Sequence, residues 1–167
     1  LKNATQAKTV EGGSGLDNAL PGTPFPVPKT GAEVMWNHLL RYNGIATSCK
    51  LESYNTDASG VTTLSTTGQN TQEYPVYGPE NIDKPMKGTD AYLNLKAEFS
   101  GPPRRAGEAL LVIDHVNALK QPRKAWQYLP GQRRVKLAPE LAYDTPTAGT
   151  SGAGTYDDAF VFNGALD

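Results

Sequence analysis

The chain has 167 residues, enough for one domain with an arm but not for two ordinary domains. Sixteen Lys and Arg against seventeen Asp and Glu leave a formal charge of −1, which argues against nucleic-acid binding by the chain as a whole. Seventeen Gly and thirteen Pro favour short strands and turns over a helix bundle, while a lone Cys49 and two histidines exclude an intramolecular disulfide and any Cys-rich zinc centre.

Residues 1–30 have no apolar period. Gly12, Gly13 and Gly15 precede Pro21, Pro24, Pro26 and Pro28, and proline fixes φ and cannot donate to a ladder. The stretch therefore reads as an extended, locally polyproline-like arm, set apart from a domain over 31–167. Phe25 and Val27, between the prolines, could tie it to the domain or to a partner. Thr30-Gly31-Ala32-Glu33 is a capping-box pattern. Behind it Ala32, Met35, Trp36, Leu39 and Leu40 fall on one stripe, and Gly44 is placed as a stop. The spacing predicts a helix over 31–43, packed on a sheet.

From Ile45 the period becomes two. Ile45, Thr47, Cys49 and Leu51 alternate with polar residues, so Cys49 is expected to point inward as a small core residue. Asp57 to Gly60 makes a turn into a Thr-rich strand at 61–67, and 78–88 is a loop. The clearest strand is 91–99, with Ala91, Leu93, Leu95, Ala97 and Phe99 on one face. A strand at 108–116, apolar on both faces at its centre, precedes a hairpin of 124–129 and 132–138. The Pro130-Gly131 pair of that hairpin suits a type II turn. These elements predict a mainly β fold: one helix against an antiparallel meander of six or more strands, without the alternation that a dinucleotide fold needs.

Catalytic motifs fail on inspection. Gly149 to Ala153 lacks the last glycine of a nucleophile elbow and lies in a loop, leaving Ser151 a weak hydrolase candidate, as is Asp157. Asp114 and His115 are strand neighbours and point to opposite faces, so they cannot form the orienting pair of a triad. His38 and His115 show no metal-ligand spacing, and Asp157-Asp158 lacks the alternating acids of a calcium loop. Neither a metal nor a cofactor is expected. Charge carries more information. Between Arg104 and Lys136 eight basic residues face two acidic ones, leaving +6 there and −7 elsewhere. Arg104, Arg105, Arg123, Lys124, Arg133 and Arg134 fall at or near turns, so several of them could gather on one rim as a patch for anionic headgroups or an acidic partner.

Several blocks carry a family resemblance: Trp36 to Tyr42, Ala125 to Pro139, Tyr143-Asp144, and Asp157-Asp158 leading to Phe162-Asn163-Gly164. The chain resembles a proteobacterial family of large periplasmic proteins of unknown function, often labelled outer-membrane lipoprotein-sorting proteins. The resemblance implies a fold similar to the lipoprotein carriers LolA and LolB, a curved, incomplete antiparallel barrel with a helix covering an apolar hollow. It also implies export, a parent chain more than twice as long, and association with hydrophobic compounds. The start at Leu1 without Met and the apolar run at the C-terminus agree with that expectation. An N-terminal Cys for lipidation is missing, and no run approaches the roughly 18 apolar residues of a membrane-spanning helix.

These readings converge on a non-enzymatic periplasmic binder or carrier of a lipid, lipidated protein or other hydrophobic ligand, linked to the outer membrane. Trp36, Leu39, Leu93, Leu95, Phe99, Trp126 and Tyr128 are the expected ligand-facing residues. The alternative is an adaptor subunit that docks on an outer-membrane or transporter complex through the arm and the basic segment.

Overall fold

The computed structural model describes residues 6–138, 144–147, 150, 152 and 154–156. A hairpin of β1 (Lys8–Val10) and β2 (Gly15–Asp17) comes first, then the helix α1 (Gly31–Leu39). Six strands follow: β3 (Ala46–Thr56), β4 (Thr62–Glu73), β5 (Ala91–Gly101), β6 (Ala109–His115), β7 (Lys124–Leu129) and β8 (Arg134–Leu137). They form one antiparallel sheet in chain order, β3 to β8. The mainly β architecture with a single helix is the one expected. The sheet is open, with β3 and β8 each paired on one side only among the described residues, so it does not close into a barrel.

The helix starts where its capping box places it. The Thr30 hydroxyl accepts from the Glu33 amide at 3.2 Å, and the Glu33 carboxylate reaches back to the Lys29 amide. It stops at Leu39, earlier than the expected 43. Gly44 does adopt a left-handed φ of 92°, but as the approach to β3 rather than as the helix stop. The Asp57 turn forms as expected, its carboxylate accepting from the Ser59 and Val61 amides at 2.8 and 3.0 Å. The β7–β8 turn differs from the type II geometry: 130–132 is a single 3-10 turn, and the left-handed residue is Arg133 with φ 46°.

Register defines two faces, because directly opposed residues on paired strands project the same way. Leu95, Val112 and Ala125 form one cross-strand row, with Ala97 and Leu110 in the next. We call this the covered face. The intervening row of Lys96, Leu111, Trp126 and Leu137 projects from the outer face. Cys49 lies in register with Asn70 and Ala97 and so shares the covered side, yet it is exposed. The alternation assigned its side correctly, but on the edge strand β3 it lies outside the packed cluster. It is not a core residue.

The covered face carries two clusters. The larger unites Trp36, Leu39 and Leu40 of the helix with Tyr92 and Leu93 of β5, with Tyr74, Val76, Tyr77 and Met86 from the β4–β5 connection, and with Leu16, Ala19 and Phe25 from the N-terminal segment. Residues 6–30 are therefore not simply an extended arm. They contain a hairpin, and their apolar side chains complete this core, Phe25 at 7% exposure while Val27 stays at 80%. Hydrogen bonds fix the joint: the Trp36 indole donates to the Gly13 carbonyl at 2.8 Å, and the Asn37 side chain brackets the Phe25 backbone at 2.6 and 3.0 Å. A Cβ on Gly15 would lie 2.6 Å from the Asn117 side chain, so glycine is required for this approach.

Candidate functional site

The second cluster lies farther along the covered face. Leu95 and Ala97 of β5, Leu110 and Val112 of β6, and Ala125 of β7 form a buried apolar floor, against which Phe99, Ala138 and Tyr156 pack. Tyr156 directly follows a loop whose described residues bond largely to one another. Pro146 pairs with Thr155, and the Thr147 amide donates to the Gly154 carbonyl at 2.8 Å. The loop also reaches the sheet where the Asn55 side chain donates to the Thr150 carbonyl at 3.2 Å. Burial raises the pKa of Tyr156, while Arg105 and Arg123 oppose that shift, so both guanidinium groups act on the ring that covers the floor.

Those arginines belong to the two least exposed ion pairs. Arg105 donates to Glu108 at 3.1 Å and to the Thr66 hydroxyl at 3.3 Å, and its guanidinium lies 4.0 Å from the Phe99 ring centroid. Arg123 makes a two-pronged contact with Asp114, both bonds 2.7 Å. The connections 102–108 and 116–123 lie at opposite ends of the meander, so one pair stands at each end of the floor. The arrangement suits apolar contact in the middle with fixed charge at the margins.

The expected ligand-facing residues do not assemble into one hollow. Trp36, Leu39 and Leu93 are spent in the first cluster, each 2% exposed, and the Trp36 ring meets Tyr92 edge-on at 5.9 Å. The space beside Trp36, Leu39 and Tyr92 is about 20 Å³, enough for a water but not for an acyl chain. Leu95 and Phe99 belong to the floor. Trp126 and Tyr128 project from the opposite, outer face, because their register partners are Leu111 and Ala109 rather than Val112 and Leu110. Ala97, Leu110, Val112 and Ala125 were missing from the expected set. The run 109–113 is apolar on both faces, which hid which of its residues point to the floor.

The basic set also divides. Arg105 and Arg123 are buried in ion pairs and serve structure. Arg104 lies at one end of the sheet with the β7–β8 turn, where a Cβ on Gly107 would meet Pro130 at 3.4 Å, and Arg133 and Arg134 follow in that turn and the start of β8. Lys124 starts β7 at the opposite end. A single rim does not hold all six.

Ser151 and Asp157 lie outside the described residues, as do residues 160–167. Asp114 and His115 are both buried, but Asp114 is bonded to Arg123, and the His115 Nδ1 has no hydrogen-bond partner among the described residues. Among the described residues no group of three or more His, Cys, Asp or Glu could hold a metal ion, and no helix is long and apolar enough to cross a membrane.

Comparison with known proteins agrees with the family resemblance read from the sequence. The chain is 37% identical to an uncharacterized protein of Pseudomonas aeruginosa over 172 aligned residues, covering 99% of this chain and 36% of that protein. It thus spans about a third of the length of this relative. Among solved structures, a DUF1329 family protein from Desulfovibrio piger superposes with a TM-score of 0.50 at 14% identity, covering 75% of this chain and 45% of that one. A chain described as a "putative outer membrane lipoprotein-sorting protein domain" from Vibrio parahaemolyticus gives a TM-score of 0.47 at 19% identity, covering 70% and 41%. At these identities the likeness concerns fold alone. The family model described as "Protein of unknown function (DUF1329)" matches residues 1–167, and the chain belongs to that family.

Proposed function

We propose that this chain is a non-enzymatic module that binds a lipid, a lipidated protein or another hydrophobic ligand on its covered face, in an exported, periplasmic protein that works at the outer membrane. The observation that supports this most is the second cluster, an apolar floor of Leu95, Ala97, Leu110, Val112 and Ala125 met by the partly buried side chains of Phe99, Ala138 and Tyr156. Partly buried side chains are displaced at lower cost than fully buried ones, since they carry fewer apolar contacts. Each acyl methylene moved from water onto such a floor contributes about 0.8 kcal/mol. Ten or more of them, less the cost of ordering the chain, reach the roughly 8 kcal/mol of micromolar binding. The adaptor reading loses the free arm it relied on, because Leu16, Ala19 and Phe25 are core residues.

Titration with a dansyl-labelled fatty acid tests the site. Tyr156→Ala, which unroofs the floor, should tighten binding several-fold, and Ala97→Phe, which fills it, should abolish binding while circular dichroism stays unchanged. Equal affinity of both variants and the parent protein would sink the assignment.

A further inference from the structure

The outer face of the sheet is divided along its length. Over β3 to β5 it is polar: Ser48, Lys50, Glu52, Gln69, Thr71 and Glu98 all project there. The Lys96–Glu98 pair, 2.9 Å apart and half exposed, marks the edge of that region. Beyond it, over β6 to β8, the same face becomes apolar. Leu111, Trp126 and Leu137 form one cross-strand row, and Ala109, Tyr128 and Val135 form the next. Leu111 is 39% exposed, Tyr128 36%, Val135 60% and Leu137 61%. In a sheet whose other face supplies the core, an outer face is normally polar. Here the two faces of β6 are both apolar, and only one of them is covered by described residues.

Glu98, paired with Lys96, borders this patch on the β5 side, and on the β7–β8 side the charge is of one sign. Residues 124–138 contain Lys124, Arg133, Arg134 and Lys136 and no acidic residue. The two acidic residues of the wider basic segment, Glu108 and Asp114, are bound to the buried Arg105 and Arg123. None of the four hairpin cations has a carboxylate within 4 Å among the described residues. Lys124 borders the patch in the row of Ile113, and Arg133 stands at its turn end. Arg134 and Lys136 alternate to the other side of β8 but remain exposed on an edge strand, so their long stems can reach around it. A Trp and a Tyr among exposed aliphatic residues, bordered by cations that have no carboxylate within 4 Å among the described residues, is the composition suited to a lipid–water interface: rings at headgroup depth, aliphatics in the acyl boundary, cations on phosphates.

We infer that the outer face of β6–β8 docks on an anionic phospholipid surface, with Trp126, Tyr128, Val135 and Leu137 entering the interface and Lys124, Arg133, Arg134 and Lys136 meeting the headgroup phosphates. This surface is on the opposite side of the sheet from the apolar floor, and its docking does not require that floor to bind anything.

Co-sedimentation of the 167-residue chain with phosphatidylglycerol–phosphatidylcholine vesicles, and with phosphatidylcholine alone, tests the inference. The chain should bind the anionic vesicles, release them at high salt, and leave the neutral ones unbound. Arg133→Glu with Arg134→Glu should weaken binding at least tenfold, and Val135→Ser with Leu137→Ser several-fold, all at exposed positions that leave the circular dichroism unchanged. Lys50→Glu, on the polar half of the outer face, and Ala97→Phe, on the covered face, should bind like the parent. Brominated phosphatidylglycerol should quench Trp126, since the other tryptophan, Trp36, is 2% exposed. Three results would each overturn the inference. One is no preference for anionic vesicles, and another is parental binding by both double variants. The third is a dimer of the parent chain that Val135→Ser with Leu137→Ser dissociates, which would place a second copy on this face.

Discussion

The Asp114–Arg123 pair offers the sharpest test of how the covered face is held together. Their side chains are 5% and 10% exposed, and two parallel bonds of 2.7 Å join them. Replacing Asp114 by Ala removes both of these bonds from a guanidinium that cannot lose its proton and whose side chain is only 10% exposed. Breaking such a buried pair costs about 3–5 kcal/mol, whereas replacing both partners by apolar groups of similar volume is often close to neutral. For a domain of this size that loss lowers Tm by about 6–20 °C and removes a large part of a typical stability of about 5–15 kcal/mol. Asp114→Leu with Arg123→Met should recover most of the loss. The half-exposed Lys96–Glu98 pair is the internal control: Glu98→Ala should cost under about 1 kcal/mol, because solvent screens it and two flexible side chains must be ordered to form it. Urea unfolding followed by circular dichroism, over the parent, Asp114→Ala, Glu98→Ala, the double variant and its two component singles Asp114→Leu and Arg123→Met, measures the coupling. An Asp114→Ala cost no larger than that of Glu98→Ala would refute the reasoning, as would a double variant whose loss equals the sum of the two singles.

Three further outcomes follow from the same structure. Burial, followed by the charge of Lys124, lowers the His115 pKa below the usual imidazole range, against a smaller opposing effect of Asp114. The unfolded chain therefore binds the proton more readily. Stability should hold above about pH 6.5 and fall as the pH drops through the unfolded and then the folded value, and His115→Gln should flatten that part of a Tm-against-pH curve. Gly68→Ala would place a methyl 2.3 Å from the Glu98 carbonyl across the β4–β5 ladder, so it should cost about 1–3 kcal/mol by urea unfolding. An unchanged midpoint would mean that the two strands are farther apart. Cys49 is exposed, so a maleimide should label the native protein at the rate of a free thiol and leave Tm unchanged; protection until unfolding would return it to the core.

Local pattern in the sequence was enough for the order of elements. The Thr30–Glu33 cap located the start of α1, and the two-residue alternation at 91–99 located β5 and its buried face, because capping and strand pleat depend on neighbours a few residues away. The period-two stretches also predicted the mainly β class, and the family resemblance added the likeness to the lipoprotein carriers. The same local signals misjudged residues 6–30, where prolines and glycines disguised a segment that is ordered by contact with α1 and with the loop after β6.

Which residues could form one site was a different kind of question. Leu95 and Trp126 are both apolar strand residues, and only the pairing of Leu95 with Val112 and of Trp126 with Leu111 shows that they project from opposite faces. Arg105 and Arg133 look equivalent in a basic segment until Glu108, Thr66 and Phe99 enclose the first, while the second stays exposed among the described residues. Strand identity is encoded within a few residues. Register, cover and the pairing of charges are set by residues tens of positions apart, and a one-residue change in pairing exchanges the two faces, so these were decided only when the chain folded.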